Sequence, residues 1–291
     1  MTTFTRRSAL GLGEQPAPVR RLTASGGIGR IEVSFEHPHS YDPQIDHYAV
    51  HASRTPGFTP SAENLLAKTV YTTFRHDRLG GQAQAWHYRV VVVAASGRRS
   101  GPSTEVAGSS IASVAFSGEP VATVGTFDHR SLEFALAPNG SAQYPTRFPN
   151  DVDLTAGVDD PKTDWSYIHP GPADAWAGRK EHRATFRFPL SAVPTGELWL
   201  AMWLIDTHAT IPGRARLALN GTAVRDIVFE PGATRGSLEG DANLPGSPLR
   251  PSYVELALPT QALVSGENVL TLDKYDGSWH VYDALGVFLR R

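Results

Sequence analysis

The 291-residue chain contains no cysteine. Disulfide scaffolds, thiolate zinc sites and cysteine nucleophiles are therefore excluded, while an exporting and a reducing compartment both stay open. No apolar run approaches the ~18 residues that a membrane-crossing helix needs. A net charge of −2 offers neither nucleic acid nor an anionic membrane a basic surface. Lysine is scarce: of 27 Lys+Arg only Lys68, Lys162, Lys180 and Lys274 are lysines. Hydrophobic residues at 41% and charged residues at 19% describe an ordinary globular protein. Charge is uneven, however. Residues 1–108 carry 12 Lys+Arg against 8 Asp+Glu, a net of +4, and the remainder 15 against 21, a net of −6.

Catalytic signatures are missing too. No nucleophile elbow, His-Glu-x-x-His, phosphate-binding loop or dinucleotide fingerprint occurs. His129, His169, His182, His208 and His280 are scattered singly, and no lysine sits beside a histidine in the sequence. Paired acids such as Asp159-Asp160 with Asp164, and Asp273 with Asp276, stand among turn residues, where Asp commonly bonds its own backbone. Thr5-Arg6-Arg7-Ser8-Ala9-Leu10 resembles a twin-arginine export signal, but only the six residues Ser8 to Gly13 lie between the arginines and Glu14, and no small-residue cleavage site follows. The start reads as a truncated signal.

What is present is β-strand pattern. In RIEVSFE (30–36), Ile31, Val33 and Phe35 share one face, HYAVHAS (47–53) alternates likewise, and WHYRVVVVAA (86–95) is long enough to be central. Turn signals separate these runs, which predicts a small antiparallel sandwich over 16–108. A connection follows at 109–120. Beyond it nine strands are expected: 122–127, 151–158, 182–190, 197–206, 215–220, 223–229, 252–258, 268–275 and 284–291. Asn220-Gly221 marks a two-residue hairpin turn. Helical period is faint, at 61–67 and 259–265. The chain is all-β, with a jelly-roll sandwich over 121–291.

One stretch is odd for a loop. DWSYIHPGPADAWAG (164–178) follows neither a helical nor a strand period, yet loops are usually polar. Trp165, Tyr167, His169 and Trp176 fall within twelve residues, and Trp279, His280 and Tyr282 form a second group. If the fold brings both to one edge, the rings form a platform on which sugar C–H faces stack, with polar groups bonding hydroxyls. Alternatively, they close an open end of the sandwich. Trp199 and Trp203, four apart in a strand, read as core. Asp128, Glu133 and Asp283 could supply oxygens to a structural calcium ion, Asp283 above all; no other cofactor is indicated.

PAPVRRLTA, HYAVHASRTPGFTP and WHYRVVVVAASGRRSGPS together resemble a bacterial fibronectin type III domain. The resemblance implies that Tyr88 is the tyrosine-corner residue, its hydroxyl tied to nearby backbone. Phe35 stands where many relatives have tryptophan. TVGTFDHRSLEF, DWSYIHPGP, RARLALNG and VSGENVLTLDKYDGSWHVYDALGVFL, in that order, are similar to the C-terminal carbohydrate-binding-like domain of rhamnogalacturonan lyases, polysaccharide lyase family four. The two domains match the second and third of such enzymes. The large N-terminal sandwich that holds their catalytic lysine and histidine has no counterpart here. What the resemblance implies is an extracellular accessory module that binds pectic or other acidic polysaccharide, beside a catalytic lyase domain. Arg235, in the long stretch 234–253, would then meet a uronate carboxylate. Two alternatives are a lyase acting by β-elimination and a structural module that braces a catalytic partner. With no unusual apolar edge, a monomer is expected.

Overall fold

The computed structural model describes residues 14–37, 44–137, 139–236, 241–244 and 246–290. The twin-arginine-like stretch lies outside them. The chain divides into a unit up to Ser113 and a unit from Val114.

In the first unit β1 (Arg20–Gly27), β2 (Arg30–Glu36) and β5 (Thr73–His76) form one sheet. β4 (Leu65–Thr69), β3 (Ile45–Ser53), β6 (Ala85–Ala94) and β7 (Val106–Ser109) form the other. Alternate residues of β2, Ile31, Val33 and Phe35, meet Tyr48, Val50, Tyr88, Val90 and Val92 in a single core. This is a two-sheet antiparallel sandwich, as the strand pattern over 16–108 predicts. Phe35 packs edge-on against Tyr48 at 4.9 Å. The faint helical period at 61–67 runs instead into β4. Tyr88 departs from expectation. Its hydroxyl bonds the side chain of His76, at 2.9 Å from Nδ1, rather than backbone. Burial pulls the His76 pKa down to about 4, so its ring is neutral at pH 7 and shares one hydrogen bond with the tyrosine hydroxyl. Tyr88→Phe strands that nitrogen in the core and is expected to cost about 1–3 kcal/mol in urea unfolding.

Residues 109–120 are not a free linker. Ile111 bridges Ile28 and Ser113 N–H donates to Gly81 O, both within the first unit, whereas Val114–Ser117 form a short helix, α1, of the second.

Among the described residues the second unit has ten strands. They are β8 (Glu119–Gly125), β9 (Val152–Thr155), β10 (Ile168–His169), β11 (His182–Leu190), β12 (Leu198–Thr207), β13 (Arg214–Leu219), β14 (Thr222–Val228), β15 (Ser252–Ala257), β16 (Gly266–Asp276) and β17 (His280–Leu289). One sheet runs β14-β13-β16-β11-β9. The other runs β10-β17-β12-β15, with β8 also on β17. Among the described strand pairs only β9 with β11 is parallel. Asn220 and Gly221 both have positive φ, 50° and 77°, as the two-residue hairpin between β13 and β14 requires.

Core parity is clean. In β12, Leu198, Leu200, Met202 and Leu204 face the opposite sheet. Trp199, Ala201 and Trp203 face outward, so neither tryptophan is in the central core, and the irregular pairing at 203–206 turns Ile205 back into it. Trp203 is nonetheless buried, because Phe116 of α1 and His129 stack on it at 5.5 and 5.1 Å. Trp199 is partly exposed beneath the Arg290 guanidinium.

Candidate functional site

Antiparallel pairing puts four connections at one end of the second unit: β10–β11, β12–β13, β14–β15 and β16–β17. They are stitched to one another through backbone. Ala173 N–H donates to Gly277 O (2.9 Å), Ser278 N–H to Ile211 O (2.8 Å), Ala209 N–H to Thr234 O (2.7 Å) and Phe229 N–H to Gly213 O (3.1 Å). Gly213 and Gly277 cross so closely that a Cβ on either would sit 2.0–2.3 Å from the opposing backbone. Buried Asp206 anchors the β14–β15 connection by accepting Ala233 N–H (2.8 Å) and the Thr234 hydroxyl (2.7 Å).

The fold thus gathers the two aromatic groups at one end, but it turns them inward. Trp165, Tyr167, His169, Trp279, His280 and Tyr282 are all buried, none more than 2% exposed. They cannot form a stacking platform, and the expectation is corrected. The physical reason is β10, a two-residue strand hidden in DWSYIHPGP, which pairs with β17 and pins the segment over the open end. Trp165 packs edge-on to Tyr282 at 5.2 Å and to Phe186 at 6.3 Å. His169 donates from Nε2 to His182 O (2.9 Å), so its Nδ1 accepts the Tyr282 O–H (2.8 Å). Trp176 is partly buried against Tyr144. Of the eight expected binding residues only Trp176 and Arg235 reach solvent.

A lysine and a histidine do meet. Lys274 Nζ lies 3.2 Å from His280 Nδ1, 2.7 Å from Pro212 O and 4.0 Å over the Phe229 ring. Sequence adjacency hid the pair, which forms across the β16–β17 turn. Parity could have found it, since Lys274 continues the inward row of Leu270 and Leu272. No substrate reaches this pair, because both side chains are fully buried. The paired acids are structural: Asp159 accepts Thr155 N–H, Asp160 caps the turn at Lys162 N–H, and Asp273 makes a two-pronged pair with Arg183.

At the rim, a parallel bridge joins His208 to Thr234 and sets His208 beside Arg235. His208 Nδ1 accepts Ile211 N–H (3.1 Å), which puts the proton of a neutral ring on Nε2. Burial, with the Arg235 charge nearby, holds the His208 pKa below its ordinary value. Arg235 is exposed and makes no ion pair with the described residues. Exposed Ile211 adds an apolar shoulder. A guanidinium, a neutral N–H donor and a small apolar surface suit a carboxylated sugar. Sequence reading named Arg235 and missed His208.

Asp283 is fully buried. Its Oδ1 accepts Arg130 N–H (2.9 Å) and Oδ2 has no partner. Burial, with Asp128 and Glu133 adding repulsion, raises its pKa to about 8. Calcium would need several converging oxygens. Among the described residues no three His, Asp or Glu side chains are grouped to hold a metal ion. Glu133 is turned to Thr126 N–H (2.9 Å). The ligand set expected for calcium is not assembled, and Asp283 fits a neutral carboxylic acid instead.

Residues 121–287 match the family described as CBM-like, polysaccharide lyase family 4, domain III. The chain belongs to that family. None of the curated proteins matches it. Among solved structures, a fibronectin type III domain of human fibronectin type III domain containing protein 3 is 15% identical, with a TM-score of 0.29, over 35% of this chain and 92% of that one. A family 35 carbohydrate binding module from Clostridium thermocellum is 12% identical, with a TM-score of 0.27, over 42% and 88%. An alpha-L-rhamnosidase from Dictyoglumus thermophilum is 13% identical, with a TM-score of 0.27, over 94% of this chain and 28% of that one. No helix of the described residues is long and apolar enough to cross a membrane.

Proposed function

We propose that this chain is an accessory module that binds acidic polysaccharide of the pectic kind, working outside the cell beside a catalytic lyase domain. Membership of the polysaccharide lyase family 4 domain III family supports a carbohydrate-binding role. The observation that carries the preference for acid is exposed Arg235, which makes no ion pair with the described residues, next to the His208 Nε2–H donor. A carboxylate bonded by guanidinium gains charge-assisted hydrogen bonds worth about 1.5–3 kcal/mol, or roughly 10–100-fold in affinity. Binding, not bond breaking, is the role of this chain, since its Lys274–His280 contact is enclosed.

Titration calorimetry with rhamnogalacturonan oligosaccharides, and with the same oligosaccharides after reduction of their carboxyl groups, tests this. The acidic ligand should bind at least about tenfold more tightly. Arg235→Ala should remove that preference while leaving the melting temperature unchanged, because the side chain is exposed. Equal affinity for both ligands, or growth of unsaturated-uronate absorbance from pure protein, would overturn the reading.

A further inference from the structure

Behind the rim, the interior of the loop end is basic. Lys274 enters from β16, His280 from β17 and His169 from β10, and all three are buried. The two imidazole rings are 4.9 Å apart, and Lys274 Nζ is 3.2 Å from His280 Nδ1. No carboxylate of the described residues hydrogen-bonds any of them. The neighbouring acids are otherwise engaged. Asp174 accepts the Ser278 hydroxyl (2.6 Å) and Gly171 N–H (2.8 Å), Asp151 pairs with His182, and Asp276 is exposed.

Hydrogen-bond bookkeeping gives the proton states. His169 donates at Nε2 and accepts at Nδ1, which is a neutral ring. His280 Nε2 has no partner. An ammonium at Lys274 would have to donate to His280 Nδ1, which forces the ring proton onto Nε2, where nothing accepts it. A neutral amine reverses the bond. Nδ1–H then donates to the Nζ lone pair, and bare Nε2 is left as an acceptor only, the cheaper group to bury. Nζ keeps its own donors for Pro212 O and the Phe229 ring.

We propose that the loop end is an acid-opened latch. Lys274, His280 and His169 are neutral while it is shut, and they take up protons together when the 208–213 and 276–279 segments part. Burial is the main cause that holds all three below their ordinary values, His169 at about 3. The Lys274 charge would press both histidines lower still. Asp174 and Asp276 pull Lys274 the other way without reversing its shift. The other titratable groups facing the cluster are Tyr282, kept neutral by burial, the His182–Asp151 pair behind His169, and His208 with Arg235 at the rim. In the open form the three bases regain ordinary values and bind more protons, so closure weakens as pH falls. Above about pH 7 only Lys274 counts, and the opening equilibrium changes by at most about tenfold per pH unit; below about 6.5 the histidines join and the dependence steepens. This device stands whether or not the rim binds sugar.

Native-state hydrogen exchange on the full chain from pH 8 to 4, corrected for intrinsic rates, reads the proton count directly. Segments 208–213 and 276–279 should open with a proton uptake that rises below pH 6.5, while 184–190 of β11 stays shut. Lys274→Met should remove one proton from the slope, above pH 7 included. His280→Phe should remove one below 6.5 only. A loop end that opens without proton uptake, or only together with β11, overturns the proposal, as does an unchanged slope in Lys274→Met. Should either variant fail to fold, the wild-type slope alone decides.

Discussion

Asp283→Asn is expected to stabilise the second unit strongly at alkaline pH and hardly at all in acid. The folded carboxyl titrates at about 8 against an ordinary value of 3.8. Below about pH 4 it is protonated in both the folded and unfolded chain and contributes no pH dependence. As pH rises from there to 8 the unfolded chain ionises first, so folding must take up a proton and stability falls. Above 8 the loss is complete. About four pKa units at roughly 1.4 kcal/mol each put that loss on the order of 5 kcal/mol. Asparagine keeps the Oδ1 acceptor for Arg130 N–H and offers an amide where Oδ2 has no partner. Urea unfolding at pH 4 and pH 8.5 should show wild type and variant close together at the first and several kcal/mol apart at the second. A calcium-dependent rise in the wild-type melting temperature, reversed by chelator, would instead show a cation in that place.

The second large effect concerns Trp165. Truncation to alanine empties a site in the central core and should cost about 3–5 kcal/mol. In a unit of this size that is a fall in Tm of roughly 6–20 °C. Trp165→Phe should recover most of it, because the indole Nε1–H has no acceptor and nothing polar is lost with it. Glycan affinity should be the same in Trp165→Phe as in wild type. An alanine variant that melts normally yet no longer binds would return the ring to the surface role that its burial denies.

Strand positions were legible because parity is a strong signal in this chain. HRATFRFPL was expected at 182–190, where β11 runs, and the even positions of β12 and β16 face the core as their apolar rows require. Asn220-Gly221 announced its turn. Ring direction in 164–178 was not legible, since alternation over the two residues of β10 is too short to register as a period. The composition nevertheless held a clue. Between Trp165 and Gly178 the one charged residue is Asp174, itself buried, and a loop with so little to offer water is a lid on the core. His208 was invisible for another reason: its partnership with Arg235 is made by a single bridge between residues 26 apart, which no local pattern encodes. The Tyr88 hydroxyl likewise found a side chain twelve positions away rather than the backbone that the family resemblance implied.

β17 is the hub of its sheet, paired with β12 along one edge and with β8 and β10 along the other. Of the described strands of this unit it is also the last to be synthesised. On the ribosome, β8 therefore emerges with no partner and waits through the 170 positions that separate Glu119 from Leu289. At ~5–20 residues per second that is roughly 10–30 s for β8, and less for β10 and one edge of β12, which join it in staying open to wrong partners as they are made. Vectorial folding cannot shorten this wait, so the nascent chain, more than the finished one, is where this module is prone to aggregate.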